Sequence, residues 1–190
     1  MIIDEIKADF QQAREVLGDF ILKHENWGKI EKAGNLMVQA LKSGNKIISC
    51  GNGGSMCDAI HFAEELTGRF HNNRPALPAI ALGDPGHITC VSNDFGFEFI
   101  FSRSIEALGK PGDVLLAIST SGTSKNIINA VEAAKKTGMY VVSLTGKSGG
   151  VMTSASDVEI CVPMEFYSDR TQEIHIIIIH ALVHFIELAL

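Results

Sequence analysis

Between residues 46 and 162 the chain repeats one pattern: a short run of apolar residues, then a longer stretch with helical periodicity. The candidate strands are Lys46–Cys50, Pro78–Leu82, Asp113–Ser119, Met139–Leu144 and Asp157–Val162. Helical patterns near 55–68, 86–108 and 124–137 separate them. A strand that is apolar throughout has both faces covered, and strands joined through helices run parallel. The expected fold is therefore α/β, a doubly wound five-stranded parallel sheet. In such sheets a ligand sits at the carboxyl ends of the strands.

Two helices precede this region. The first, at 2–22, carries Ile3, Ile6, Phe10, Ala13, Leu17 and Phe20 at alternating spacings of three and four, the seam of a packed helix pair. The second, at about 26–43, stops at Gly44. Residues 1–44 are thus an amino-terminal helical hairpin whose narrow seam suits a helix from another subunit. Residues 45–190 form the α/β core of one domain. A last helix, about 168–188, is apolar around most of its circumference, as in the centre of a core or an oligomer interface.

Bulk properties narrow the function. With a net charge of −6, the protein carries no general field for polyanions, so nucleic acid is not an expected partner. Met1-Ile2-Ile3-Asp4-Glu5 has acids where a signal peptide carries positive charge. The apolar run Ile176–Ile179 is bounded by His175, His180 and His184, too short and too polar to span a bilayer. Cys50, Cys57, Cys90 and Cys161 lack C-x-x-C spacing and read as reduced, mostly buried thiols. A cytoplasmic protein with no membrane partner is expected.

Two loops leave strand ends and open helices. They are Cys50-Gly51-Asn52-Gly53-Gly54-Ser55 and Ser119-Thr120-Ser121-Gly122-Thr123-Ser124. Free backbone N–H groups and hydroxyls at a helix amino terminus are how an uncharged loop holds phosphate. Gly and Ser also make turns and caps for purely structural reasons, but two such loops in an acidic protein favour anion binding. No nucleotide cofactor is expected. The dinucleotide fingerprint needs Gly where Met56 stands, and a P-loop ending in Gly146-Lys147-Ser148 needs Gly where Val141 stands.

The helix after the first loop carries His61 and Glu65, one turn apart on one face. On the last helix Asp169, Gln172, Glu173, His180, His184 and Glu187 fall within a sector of about 120°. Polar groups on an apolar helix are solvated, paired or functional. Glu173, His184 and Glu187 read as solvated; Gln172 and His180, among isoleucines, read as a buried site.

The two loops, together with His61-Phe62-Ala63-Glu64-Glu65-Leu66, Asn93-Asp94-Phe95-Gly96, Gly112-Asp113-Val114-Leu115-Leu116 and Gln172-Glu173-Ile174-His175, resemble the phosphoheptose isomerases of the sugar isomerase (SIS) domain family. The likeness runs in order over nearly the whole chain. It implies a homotetramer with sites between subunits and a sugar-phosphate substrate. It implies substrate binding by Asn52, Gly53, Gly54, Asn93, Asp94, Ser119, Thr120, Ser121 and Ser124, to which the loop and stripe readings add Ser55 and Asp169. His61, Glu65, Gln172 and His180 match the catalytic and metal set, with one zinc per subunit. The implied reaction converts sedoheptulose 7-phosphate to D-glycero-D-manno-heptose 7-phosphate, the first step toward the ADP-heptose of lipopolysaccharide core. Thr123, where the pattern has Asn, and His184 depart from it.

Aldose–ketose isomerisation moves one proton between carbons and another between oxygens. Glu65 is assigned to the first and His180 to the second, with Glu65 and Gln172 also contacting the substrate. Two other readings compete. A non-enzymatic SIS tetramer that binds the replication initiator shares the first loop but lacks the acid and histidine matching Glu65 and His180. A sugar-phosphate-sensing module would bring a DNA-binding domain, for which 190 residues leave no room.

Overall fold

The computed structural model describes residues 1–164 and 167–190. Five strands, β1 (Ile47–Gly51), β2 (Ala79–Ala81), β3 (Val114–Ser119), β4 (Tyr140–Gly146) and β5 (Val158–Val162), form one sheet of order β2-β1-β3-β4-β5, every pairing parallel. The chain leaves β1 toward one edge and returns to build the other half from β3. The gap between the carboxyl ends of β1 and β3 is thus the topological switch point, where crevices form in open α/β sheets.

Alternation along each strand explains the all-apolar runs. Ile47, Val114, Leu116, Val142 and Leu144 face one core with α2 (His24–Lys42), α3 (Gly54–Thr67) and α8 (Ser168–Ala189). Ile48, Cys50, Leu115, Ala117 and Val141 face the other with α4 (Pro85–Asp94), α5 (Ile100–Leu108), α6 (Lys125–Thr137) and the short α7 (Met152–Ala155). The 86–108 stretch is not one helix. Gly96, at φ +110°, breaks it, and a 3₁₀ turn at Phe97–Phe99 restarts it; a positive φ of that size suits glycine alone.

Helix α1 (Ile2–Leu22) divides its own stripe. Phe20 is buried, with Val16 and Leu17 packed on the same core, whereas Ile3, Ile6 and Phe10 are exposed, Phe10 at 76%. One end of α1 belongs to this chain's core, and the other presents an uncovered apolar seam. Helix α8 is the one helix among the described residues long and apolar enough to cross a membrane. Ile174, Ile178, Ile179, Leu182, Val183 and Ile186 are instead buried in the core. The cysteines are all free, and only Cys50 is fully buried. Cys57 and Cys90 are exposed, a correction to the buried set expected.

Candidate functional site

The switch point is lined by the two small-residue loops. After β1 the chain turns through Gly53 at φ +55° and starts α3 at Gly54. After β3 it turns through Gly122 at φ +64°, and Ser124 stands at the position just before α6. A side chain at Gly122 would collide with the carbonyl of Gly149, so the loop after β4 backs the loop after β3. The loops are tied together: Asn52 Nδ2 donates to Asn126 Oδ1 at 2.9 Å and Asn126 Nδ2 donates to Asn52 Oδ1 at 2.7 Å. Hydroxyls stitch the second loop, with Ser119 Oγ donating to Ser124 Oγ at 3.3 Å and Thr123 Oγ1 to Ser121 Oγ at 3.1 Å. Between them lies a cleft of about 320 Å³, lined by Asn52, Gly53, Gly54, Ser55, Ile118, Ser119, Thr120, Ser124, Ser168 and Gln172. No lysine or arginine is in that lining. An anion here is met by two helix amino termini and their hydroxyls.

A second group lies where α3 passes α8. His61 Nε2 is 3.2 Å from Glu65 Oε1 and 3.0 Å from His180 Nε2. The three ligand-type atoms lie within 4.8 Å of one another. Two imidazole nitrogens and a carboxylate converging on one point could hold a divalent metal ion. All three side chains are half-buried, reachable from solvent yet fixed by their helices. Gln172 stands eight residues before His180 on α8, roughly 12 Å along the axis. Its amide packs over Gly54 in the loop cleft, so one helix spans from that cleft to the His61–Glu65–His180 group. One turn before His61, burial pushes the Asp58 carboxyl up to about 6 against the pull of His61.

Residues 10–146 match the SIS domain family. The chain belongs to that family. Over 187 residues this SIS-domain protein is 56% identical to the phosphoheptose isomerase of Haemophilus ducreyi, covering 98% of this chain and 96% of that one. It is 57% identical to the phosphoheptose isomerase of Pectobacterium atrosepticum, covering 98% and 97%. The phosphoheptose isomerase structure from Neisseria gonorrhoeae superposes with a TM-score of 0.91 at 39% identity, covering 99% of this chain and 100% of the other. That from Francisella tularensis gives 0.93 at 38% identity, covering 99% of each.

In this SIS domain the expected substrate residues divide into groups. Asn52, Gly53, Gly54, Ser55, Ser119, Thr120, Ser124 and Gln172 share the cleft. Ser121 stands beside it, holding Thr123, whose hydroxyl and N–H both donate to it; the departure at Thr123 therefore keeps the loop's internal bonding. Asn93 and Asp94 end α4, exposed and bonded to each other, and Asp169 is exposed beside Arg170. None of these three lines the cleft of a single chain.

The readings of the last helix need one firm correction. Glu187 is not at a wet helix end: its side chain is 1% exposed and accepts bonds from the segment after α3. Glu173 is solvent-facing and held by Arg170. His184 packs edge-on against His71, ring centroids 4.9 Å apart, and His71 stacks on Phe70. Asn126, buried and paired to Asn52, went unread in the sequence, as did Ser168 and Phe70. The one signal was that Asn126 falls two residues after the cap of a loop-bearing helix.

Proposed function

We propose that the protein is an aldose–ketose isomerase that converts sedoheptulose 7-phosphate to D-glycero-D-manno-heptose 7-phosphate. It would act in the cytoplasm as a homotetramer, at the first step of ADP-heptose supply for lipopolysaccharide core. The observation that carries this is the juxtaposition of Glu65 and His180 across α3 and α8, on the two helices that also reach the anion cleft. The initiator-binding alternative lacks that acid and histidine.

The loops after β1 and β3 hold the phosphate through backbone N–H groups and hydroxyls, which fixes the sugar's direction along α8. Glu65 presents Oε1 to His61, leaving Oε2 to take the proton from the carbon next to the carbonyl and return it to the neighbouring carbon. His180 moves the second proton between the two sugar oxygens through its ring nitrogen. His61 holds Glu65 and His180 in register. Zinc fits the donor set of His61, Glu65 and His180; Gln172, the fourth ligand expected from the resemblance, is not brought beside them, because its amide packs over Gly54 in the loop cleft. Bound there it would supply Lewis-acid polarisation of the carbonyl, while the proton transfers by Glu65 and His180 need those two groups free of the ion, as when substrate displaces it. Asn93, Asp94 and Asp169, which do not line the cleft of their own chain, suit a site completed between subunits. The uncovered seam of Ile3, Ile6 and Phe10 suits the assembly that would build it.

The test is an isomerase assay on ketose phosphates of five to seven carbons, with solvent exchange of the carbon-bound hydrogen followed in parallel. Turnover of the seven-carbon substrate, and loss of both turnover and exchange in Glu65→Gln, are expected. Exchange at the undiminished rate in that variant would remove Glu65 from its role.

A further inference from the structure

Outside the cleft and the His61–Glu65–His180 group, a dense polar cluster joins the far ends of the same two helices. Glu187 lies seven residues beyond His180, about two turns further along α8 on nearly the same face. Its carboxylate accepts from His71 N, Asn72 N, Asn72 Nδ2 and Arg74 Nε, at 3.2–3.3 Å. The Arg74 guanidinium, its side chain 12% exposed, turns its other nitrogens to the end of α3. Nη2 donates to Glu65 O at 2.7 Å and Nη1 to Leu66 O at 2.8 Å and Pro75 O at 3.1 Å. Burial alone would raise the Glu187 carboxyl, but the N–H donors of Asn72 and His71 and the charge of Arg74 outweigh it and hold it below the ordinary glutamate value.

We infer that Glu187 and Arg74 are positioning residues for the isomerase site, a brace that fixes α3 against α8 and so sets the distance between Glu65 and His180. The inference rests on the function proposed above. Glu65 O and Leu66 O are among the carbonyls that the last turn of α3 leaves without a helical partner, so Arg74 finishes that helix. What makes it more than a cap is that its counter-ion, Glu187, stands on the helix that carries His180. The planar fork fixes direction as well as distance, which a lysine ammonium cannot do. The same carboxylate anchors the backbone of residues 71 and 72. That holds Phe70 with its ring centroid 5.6 Å from that of His180, closing one side of the imidazole. A small slip of α3 along α8 would open the 3.0 Å contact between His61 and His180.

Two variants separate positioning from plain stability. Glu187→Gln removes the charge and half the acceptor capacity; Arg74→Lys keeps a cation opposite Glu187 but loses the fork onto Glu65 and Leu66. Each is expected to lower kcat about 10–100-fold, the range for partners that orient a metal's ligands. KM for the sugar phosphate should stay within about threefold, because the anion cleft lies beyond the far side of His180. Cobalt(II), loaded into metal-free protein, provides a readout independent of turnover. Its visible absorption spectrum should change in both variants, and its affinity should fall about tenfold or more. Measurements belong well below each variant's unfolding midpoint, with the folded fraction fixed by circular dichroism. Wild-type kcat and an unaltered cobalt spectrum in fully folded variants would overturn the inference, as would a kcat loss no larger than the unfolded fraction. A wild type that binds cobalt without isomerising the heptose phosphate would overturn the proposed substrate alone, and the cobalt comparison would still decide the brace. A wild type that did neither would overturn both.

Discussion

His175 is buried completely on α8, with Nε2 donating to the Thr145 carbonyl on β4 at 2.9 Å and Nδ1 without a partner among the described residues. Burial disfavours the imidazolium and, against the Thr145 bond, lowers the group from 6.5 to about 4. Between those values the unfolded chain binds a proton that the folded chain does not, so stability rises with pH through this window. At about 1.4 kcal/mol per tenfold change, the drop corresponds to about 3 kcal/mol of stability. It is fully present above pH 6.5 and lost as pH falls toward 4. His175→Gln keeps an amide N–H near the position of Nε2 and cannot ionise. Its fixed cost is the same at every pH, so the informative quantity is the difference between wild type and variant. Urea unfolding from pH 8 to 4, at one protein concentration because assembly would add its own stability, should show the wild type losing about 3 kcal/mol more than the variant. The depressed carboxyl of Glu187 weakens both proteins in acid and cancels in the difference. Parallel profiles would refute the reasoning, meaning that the fold accepts a charged imidazole here.

Further outcomes are expected elsewhere. Gly122→Ala forces a side chain into the left-handed region, about 1–2 kcal/mol by itself, and against the Gly149 carbonyl; KM for the sugar phosphate should rise about tenfold or more in steady-state kinetics. Ile6→Asp with Phe10→Asp should lower the mass in light scattering without unfolding the chain, since both residues are exposed; an unchanged mass would mean the seam is no interface. Protein prepared without added metal should hold near-stoichiometric zinc by elemental analysis, and His61→Ala should not. Activity that survives complete chelation would show that the ion is dispensable for proton transfer.

The sheet was legible in sequence because its strands are buried on both faces, which leaves uninterrupted apolar runs between helices. The cleft was legible because the proposed phosphate loops need small residues at strand ends, a local requirement written into local sequence. Even His61 and Glu65 are visible as a pair, being one turn apart on one helix. Their convergence with His180, 119 residues away, is a different matter: it depends on how α3 crosses α8. The fate of Glu187 depends on the segment that folds back after α3, and with only the helix wheel in view a buried ion-paired carboxylate looks like a solvated one. The break at Gly96 hides because its neighbours keep a helical pattern on both sides. The α1 stripe shows most directly what tertiary structure adds. Its spacing is uniform from Ile3 to Phe20, yet packing takes Leu17 and Phe20 into the core and leaves Ile3, Ile6 and Phe10 bare. Sequence fixes which face of a helix is apolar, since that depends on the 3.6-residue period alone; what covers each turn of that face is decided by elements distant in the chain.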